Sequence, residues 1–230
     1  MVDFGTRGYQ RIPPVIKNLI IANVLFWVAE LTFKDAFIDT LSLHYYQSPK
    51  FGLWQVVTYM FLHDPSSIGH ILMNMLFLWL FGSELEEIWG SKRFLLFYLL
   101  SGVGAAIITM AAYTIEFNIL LNRANNGVIS IEEFKVRGAS IYHSLMLGAS
   151  GAINGVMAAF AYLFPNRPWP LFFFPIKVKY VVLFYFLVDL FGGINPRYGD
   201  NVGHFAHVGG AIVGLILVIT MNKNNRRTFY

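Results

Sequence analysis

Apolar residues are grouped in six long stretches that polar segments separate. A helix that crosses the hydrocarbon core of a bilayer, about 30 Å thick, needs roughly 20 such residues. The stretches cover residues 15–33, 68–88, 94–113, 145–164, 178–191 and 203–221. The pattern therefore predicts an all-α, polytopic membrane protein. One six-helix domain over residues 15–221 would lie between an N-terminal segment, 1–14, and a tail, 222–230.

Two of the connecting segments are too long to be simple turns. Residues 34–67 mix Tyr45, Tyr46 and Trp54 with prolines and charges, which is typical of a loop in the membrane interface. Residues 114–144 are more polar and predict an excursion into water with a short helix over residues 130–136. Both segments are expected on the outer side of the membrane.

Composition supports the membrane interpretation. The chain is 56% hydrophobic, 17% aromatic and only 13% charged, whereas soluble domains carry about 25% charged residues. A soluble protein with an unusually large core is therefore the weaker alternative. Because cysteine is absent, a disulfide framework, a thiol nucleophile and a thiolate metal site are excluded. The N-terminal segment lacks a cleavage site, so no cleaved signal peptide is expected.

The basic residues predict an orientation. If the N-terminus is cytoplasmic, 11 of the 17 lysines and arginines fall on the cytoplasmic side and six fall outside. Short cytoplasmic loops normally carry this excess. Both termini are therefore expected in the cytoplasm, and the expected location is the inner membrane of a bacterium.

Polar side chains inside the spans are candidates for function because they are costly in lipid. Four sites stand out: His70 with Asn74, Ser150 within Gly148-Ala149-Ser150-Gly151, Asp189, and His204 with His207. Spans two, four and six all run from outside to inside. His70, Ser150 and His207 each lie near the start of one of these spans, roughly 5–10 Å below the outer boundary at 1.5 Å per residue. The sequence thus predicts that they converge at one depth.

Small residues predict how these helices approach each other. Faces of the small-xxx-small type are formed by Gly151 and Gly155 on span four and by Ala206, Gly210 and Gly214 on span six. Such faces let helix backbones pack closely in lipid. Their contact would bring Ser150 within reach of His207.

A serine within hydrogen-bonding reach of a histidine predicts nucleophilic catalysis. A serine hydroxyl is a weak nucleophile until a base takes its proton, and the ordinary pKa of histidine, near 6.5, suits that role. The oxyanion that forms needs donors. His70 and Asn74 are spaced i and i+4 and lie on one helix face, so both could donate, with the backbone N–H of Ser150 as a third donor.

Other roles remain open for these residues. Ser150 could be a small residue in a glycine-rich helix contact, and His204 is a rival base. His207 is preferred because it lies deeper and on the glycine face. His63 could shape the first outer loop or line the site, while Glu86 and Asp189 are expected to hold loops.

The motifs together resemble the rhomboid family. They are Gly148-Ala149-Ser150-Gly151 (GxSG), His70-xxx-Asn74 (HxxxN), Ala206-His207-xx-Gly210-xxx-Gly214, Gly82-xxx-Glu86-xxx-Gly90 and Asp189-Leu190-Phe191-Gly192, in the family's order over residues 54–215. The resemblance implies a Ser150–His207 dyad that cleaves transmembrane proteins in the bilayer. It implies no acidic third member, metal or cofactor, and neither nucleic acid nor an obligate partner is expected.

Two positions depart from the family pattern. Gln55 follows Trp54 where an arginine is frequent, and Asn154 stands where an aromatic residue often stacks on the catalytic histidine. Asn154 could instead hydrogen-bond His207. The glycine-rich segment 192–203 is expected to act as a flexible lid, and span five could tilt to admit substrate.

Two functions compete with proteolysis. A non-catalytic relative would capture transmembrane clients without cutting them, but such relatives usually lack the serine or the histidine. A transporter would line a path across the whole membrane, whereas the polar residues here cluster towards one side.

Overall fold

Helices dominate the computed structural model, which describes residues 12–171, 174–194 and 201–222. The helices are α1 Pro14–Leu41, α2 Gln55–Thr58, α3 Ile68–Trp89, α4 Ser91–Asn125, α5 Ile131–Tyr142, α6 Ser150–Leu163, α7 Val178–Ile194 and α8 Asn201–Asn222, with a 3-10 turn at Tyr59–Phe61. Two short antiparallel pairs join β1 Leu43–His44 to β2 Leu145–Met146 and β3 Pro168–Leu171 to β4 Phe174–Lys177.

The predicted class, an all-α membrane protein, is confirmed. Within the described residues, α1, α3, α4 and α8 are long and apolar enough to cross a bilayer. The fourth and fifth predicted spans correspond to α6, with 14 residues, and α7, with 17. These two helices are short for a full crossing, so the count of six spans stays a prediction.

The start of the fourth span was predicted wrongly. Its helix begins at Ser150 rather than at Leu145, because β2 pairs with β1 and the chain then turns at Gly148. Gly148 has a φ of 127°, which favours glycine, and its N–H donates to the carbonyl oxygen of Tyr59 at 2.9 Å. Non-helical backbone at this depth is tolerated where protein covers it or it lines a polar cavity. The result is that Ser150 stands at the N-terminus of a helix.

The segment 114–144, predicted as a polar excursion with one short helix, is helical over most of its length. Helix α4 continues to Asn125, and its 35 residues measure about 52 Å, well beyond a 30 Å hydrocarbon core. Helix α5 starts as predicted, with Ser130 Oγ accepting the N–H of Glu133 at 3.0 Å, but extends past residue 136 to Tyr142. The two helices form a hairpin. A small apolar cluster holds it to the first outer segment: Tyr45, Tyr113, Leu120, Ile129 and Ile141.

The first outer segment is held in a folded arrangement by its own hydrogen bonds. Helix α1 breaks at Lys34, next to the predicted end of the first span, and its last turns cover residues 35–41. Gln55 then holds the segment together. Its Oε1 accepts the N–H of His44 at 3.2 Å, and its Nε2 donates to the carbonyl oxygens of Thr40 and Lys50. This buried amide occupies the position where the family often has arginine.

Glu86, near the end of α3, binds the start of α1. Its two carboxylate oxygens accept the backbone N–H groups of Val15 and Ile16 at 2.9 and 2.8 Å. The hydroxyl of Ser91, the first residue of α4, donates to Glu86 Oε1 at 2.6 Å. Because the first N–H groups of a helix have no partner within it, one carboxylate both caps α1 and joins three helix ends.

Two further contacts place helix ends on that same side of the bundle. Arg93, at the start of α4, donates to the carbonyl oxygen of Met221 at the end of α8. Arg167, which follows α6, pairs with Glu84 of α3 at 2.8 Å. Successive long helices therefore alternate in direction. The first outer segment, the α4–α5 hairpin and the N-terminus of α6 lie at the opposite end.

Helices α6 and α8 pack through glycine. A Cβ atom added to Gly214 would lie 2.4 Å from the Cα of Gly155, a distance that real structures do not show. The predicted small-residue faces of spans four and six therefore meet backbone to backbone. Parts of other predictions fall outside the described residues: positions 1–11 and 223–230 of the terminal segments, and positions 195–200 of the expected lid.

Candidate active site

Ser150 and His207 meet where α6 begins. His207 Nε2 lies 2.8 Å from Ser150 Oγ, a hydrogen-bond distance that suits proton transfer. Ser150 follows Ala149 at the first position of α6, and His207 stands one turn before Gly210 on α8. The glycine contact between the two helices thus fixes the separation of the pair. The structure brings together the two residues that the sequence proposed as nucleophile and base.

Asp189 of α7 lies on the other side of the His207 ring. Its Oδ1 is 3.0 Å from His207 Nδ1 and 2.9 Å from His204 Nδ1. From the sequence Asp189 is expected to hold a loop, and the family resemblance implies no acid beside the histidine. The structure instead gives the carboxylate two imidazole partners on α8. One feature of the sequence indicated a functional role for Asp189: it is a carboxylate inside an otherwise apolar helix.

His204 is not the histidine that contacts Ser150. It pairs with Asp189 through Nδ1, and its ring packs on Gly192, where an added Cβ would lie 2.6 Å from the imidazole. The hydrogen bond to Ser150 Oγ comes from His207. The structure therefore separates the two histidines that the sequence left as rivals.

His70 of α3 borders the same small space. The N–H of Asp64 donates to His70 Nδ1 at 3.3 Å, so in the neutral ring the proton belongs on Nε2. A Cβ atom added to Gly148 would lie 3.3 Å from His70 Nε2 and 3.5 Å from Ser150 Oγ. A donor and the serine oxygen therefore flank one point, as a site for an oxyanion requires.

Two asparagines bind their own helices. Asn74, which is buried, donates from Nδ2 to the carbonyl oxygen of His70 at 3.0 Å. Asn154 donates from Nδ2 to the carbonyl oxygen of Ser150 at 3.0 Å, not to His207. Asn74 thus fixes the turn that carries His70 and has a second N–H left. The amide of Asn154 secures the first turn of α6.

His63 supports the site from behind. It is fully buried, and its ring meets the ring of His70 edge-on with 5.2 Å between centroids. Its backbone N–H donates to both carboxylate oxygens of Glu30 at 2.9 and 3.1 Å. Burial, with a further contribution from the nearby His70 ring, lowers the pKa of His63 to about 4. His63 is therefore a neutral residue of the folded outer segment and does not line a solvent cavity.

The N-terminus of α6 adds electrostatic stabilisation. The first backbone N–H groups of a helix lack partners within it and carry a partial positive charge. Negative charge that develops next to Ser150 is therefore favoured. Among the described residues, no group of three or more His, Asp or Glu side chains could hold a metal ion.

Comparison with known proteins identifies the family. The model of the Rhomboid domain matches residues 50–224, which is more than two thirds of the chain. The chain belongs to the rhomboid family. It is accordingly an integral, multi-pass membrane protein, in agreement with its long apolar helices.

Relatives of this rhomboid protein come from distant organisms. It is 27% identical over 218 residues to RHOMBOID-like protein 12, mitochondrial, of Arabidopsis thaliana, covering 93% of this chain and 60% of that protein. It is 29% identical over 189 residues to Rhomboid protein 1, mitochondrial, of Saccharomyces cerevisiae, covering 72% of this chain and 48% of that protein. Rhomboid protease AarA of Providencia stuartii is 26% identical over 216 residues, with 88% and 70% covered. The chain thus spans only part of each relative's length.

Proposed function

We propose that this rhomboid protein is an intramembrane serine endopeptidase that hydrolyses peptide bonds in or near the transmembrane segments of membrane proteins. The observation that carries the proposal is the 2.8 Å contact between His207 Nε2 and Ser150 Oγ. Membership of the rhomboid family and similarity to a relative named as a protease support the same activity.

The proposed reaction begins with Ser150. As Oγ attacks the carbonyl carbon of the substrate peptide, its proton passes to His207 Nε2. The resulting tetrahedral intermediate carries its negative charge on the former carbonyl oxygen. His207 then donates the proton to the leaving amine, which breaks the C–N bond and leaves an acyl-enzyme. Water, deprotonated by the same nitrogen, releases the acid and restores Ser150.

Three groups are proposed to stabilise the oxyanion. His70 Nε2–H borders the space next to Ser150 Oγ, and the backbone N–H of Ser150 opens a helix. Asn74 would contribute the N–H that its bond to the His70 carbonyl leaves free. Removal of one such donor typically slows an enzyme by about 10²–10³-fold. All three donors would stabilise the oxyanion of the transition state more than the carbonyl oxygen of the bound substrate.

Transmembrane proteins in the bilayer are the proposed substrates, and we propose no cofactor, metal, nucleic acid or obligate partner. The proposed orientation puts both termini in the cytoplasm, with the inner membrane of a bacterium as the location. The distribution of basic residues, 11 to 6, supports this orientation. Ser150, at the opposite end of the bundle from Glu86, would then face the outer aqueous side.

Labelling with a serine-reactive fluorophosphonate tests the activity directly. The folded wild-type chain should become labelled, whereas Ser150→Ala should not. A second serine, Ser144, which donates to a backbone carbonyl just upstream of the site, provides the control Ser144→Ala and should keep the label. Equal labelling of wild type and Ser150→Ala would contradict the assignment of Ser150 as the nucleophile. No labelling of a folded wild type would contradict the proposed activity and favour a non-catalytic relative.

A further inference from the structure

His207, the proposed base, has a second hydrogen-bond partner besides Ser150. Its Nδ1 contacts the carboxylate of Asp189 on a third helix. Ser150, His207 and Asp189 lie on α6, α8 and α7 in one line of hydrogen bonds. His207 Nε2 is 2.8 Å from Ser150 Oγ, and His207 Nδ1 is 3.0 Å from Asp189 Oδ1. Family resemblance alone implies a dyad without this acid.

The hydrogen-bonding capacity of the groups fixes the direction of both contacts. An ionised carboxylate can only accept, so the proton between His207 and Asp189 belongs to Nδ1 of the imidazole. In the neutral ring Nε2 then has a free lone pair and must accept from the serine hydroxyl. A general base needs this tautomer, since a ring protonated on Nε2 could not take the proton from Ser150.

The surroundings of Asp189 hold its carboxylate in one position. The carboxylate is largely buried, with 13% of its side chain exposed, so water competes weakly for it. A second imidazole, His204, donates to the same Oδ1 at 2.9 Å and ties α7 to α8. A carboxylate with two fixed donors has little freedom to turn away from His207.

We infer that Asp189 is a positioning residue that holds His207 in the Nδ1-protonated tautomer and orients its Nε2 towards Ser150. The inference rests on the proposed serine endopeptidase activity. In the transition state, when His207 carries two protons, the adjacent carboxylate would also stabilise the imidazolium charge. Loss of such a carboxylate in a serine protease leaves the geometry intact and lowers kcat by up to about 10⁴-fold.

A purely structural role for Asp189 makes a different prediction. If the carboxylate served only to tie α7 to α8, the bond to His204 would carry that role as well. Asp189→Asn should then lower thermal stability and cleavage together, and His204→Ala, which removes one of the two bonds to α8, should impair cleavage as well. Under the positioning role, His204→Ala keeps most of the activity, because the bond between Asp189 and His207 remains.

The kinetic test uses the full chain in liposomes with a transmembrane substrate. Asp189→Asn should lower kcat by roughly 10²–10⁴-fold and leave KM within about threefold, since the lost interaction acts in the transition state. Asp189→Glu, which restores a carboxylate, should recover part of the rate. Asp39→Asn makes the same chemical change at an exposed ion pair with Lys50 and should cleave as the wild type does.

The tautomer of His207 can be measured in the wild-type chain. This test therefore holds even if Asp189→Asn does not fold. In ¹⁵N-histidine-labelled wild type, solid-state NMR at a pH where the ring is neutral should show the proton of His207 on Nδ1. A proton on Nε2, a wild-type rate for Asp189→Asn, or equal losses in Asp189→Asn and His204→Ala would each overturn the inference. Cleavage by Ser150→Ala would instead contradict the proposed function, so the two failures are distinguishable.

Discussion

Gly210 of α8 lies directly against the backbone of Gly151 of α6: a Cβ atom added to Gly210 would be 1.8 Å from the carbonyl oxygen of Gly151. Ser150 precedes Gly151, and His207 is one turn before Gly210. This contact between the two helices therefore lies next to Ser150 and His207, the two side chains that are proposed to exchange a proton.

Substitution of this glycine should separate the pair. In Gly210→Ala the new methyl group would push α8 away from α6, and a misplacement of about 1 Å can cost 10²-fold in rate. Cleavage and fluorophosphonate labelling should therefore fall by about that factor or more. Gly203→Ala, on the same helix but with nothing within 4 Å of the added Cβ, is the matched control. Wild-type rates for Gly210→Ala would show that the helices do not pack this closely.

The two histidines of α8 should behave differently. His207→Ala removes the contact to Ser150 Oγ, so both cleavage and labelling of Ser150 should be lost because the hydroxyl is no longer activated. His204→Ala should keep most of both activities. Activity of the wild type should also decline in acid, since a protonated imidazole cannot accept the serine proton. An inactive His204→Ala beside an active His207→Ala would require a different base.

Loss of an oxyanion donor should slow the chemistry without unfolding the chain. His70→Ala and Asn74→Ala are each expected to reduce kcat by roughly 10²-fold. Thermal unfolding of both variants should be recorded beside the rates, because Asn74 also binds the His70 carbonyl. If both folded variants cleave at the wild-type rate, α3 contributes no donor.

Acid should destabilise the fold through His63. Its pKa is about 4 in the folded chain and 6.5 ordinarily, so between these values the unfolded chain binds a proton that the folded chain does not. The contribution of His63 to the free energy of unfolding should therefore decrease as pH falls from about 6.5 to about 4. Thermal unfolding in detergent at pH 7 and 4.5 measures the decrease, and His63→Leu should reduce it. An unchanged pH dependence in His63→Leu would assign the effect to other groups.

The proposed orientation has a direct test. Reporter fusions after Asn125, at the far end of α4, and at the C-terminus should report opposite sides of the membrane. The contact of Arg93 with the carbonyl of Met221 puts the start of α4 beside the end of α8, and α4 spans the bundle between Arg93 and Asn125. Reporters on the same side would contradict both the arrangement of helices and the convergence of Ser150 with His207.

Much of this arrangement could be read from local sequence. Hydropathy identifies the long helices, and the spacing of Gly151, Gly155, Gly210 and Gly214 predicts which faces meet. Because helix direction alternates, the sequence alone predicts Ser150 and His207 at one depth.

The features that the sequence did not predict depend on contacts between segments that are far apart in the chain. Leu145 and Met146 are apolar, and periodicity cannot distinguish a short strand from the first turn of a helix; only pairing with β1 does so. Helix α4 continues past Tyr113 because Leu120 packs against residues of the α4–α5 hairpin and the first outer segment. The bond from Asp189 to His207 depends on how α7 crosses α8, which no short sequence window contains.

Glu86 has a practical consequence for anyone who builds on this protein. Because its carboxylate holds the backbone N–H groups of Val15 and Ile16, the start of helix α1 is anchored by a contact inside the fold. A fluorescent protein or an immobilisation peptide fused ahead of residue 12 would therefore leave the register of α1 unchanged. The attachment point would also sit at the end of the bundle opposite Ser150, where a tether to a bead or a chip leaves the reactive face free.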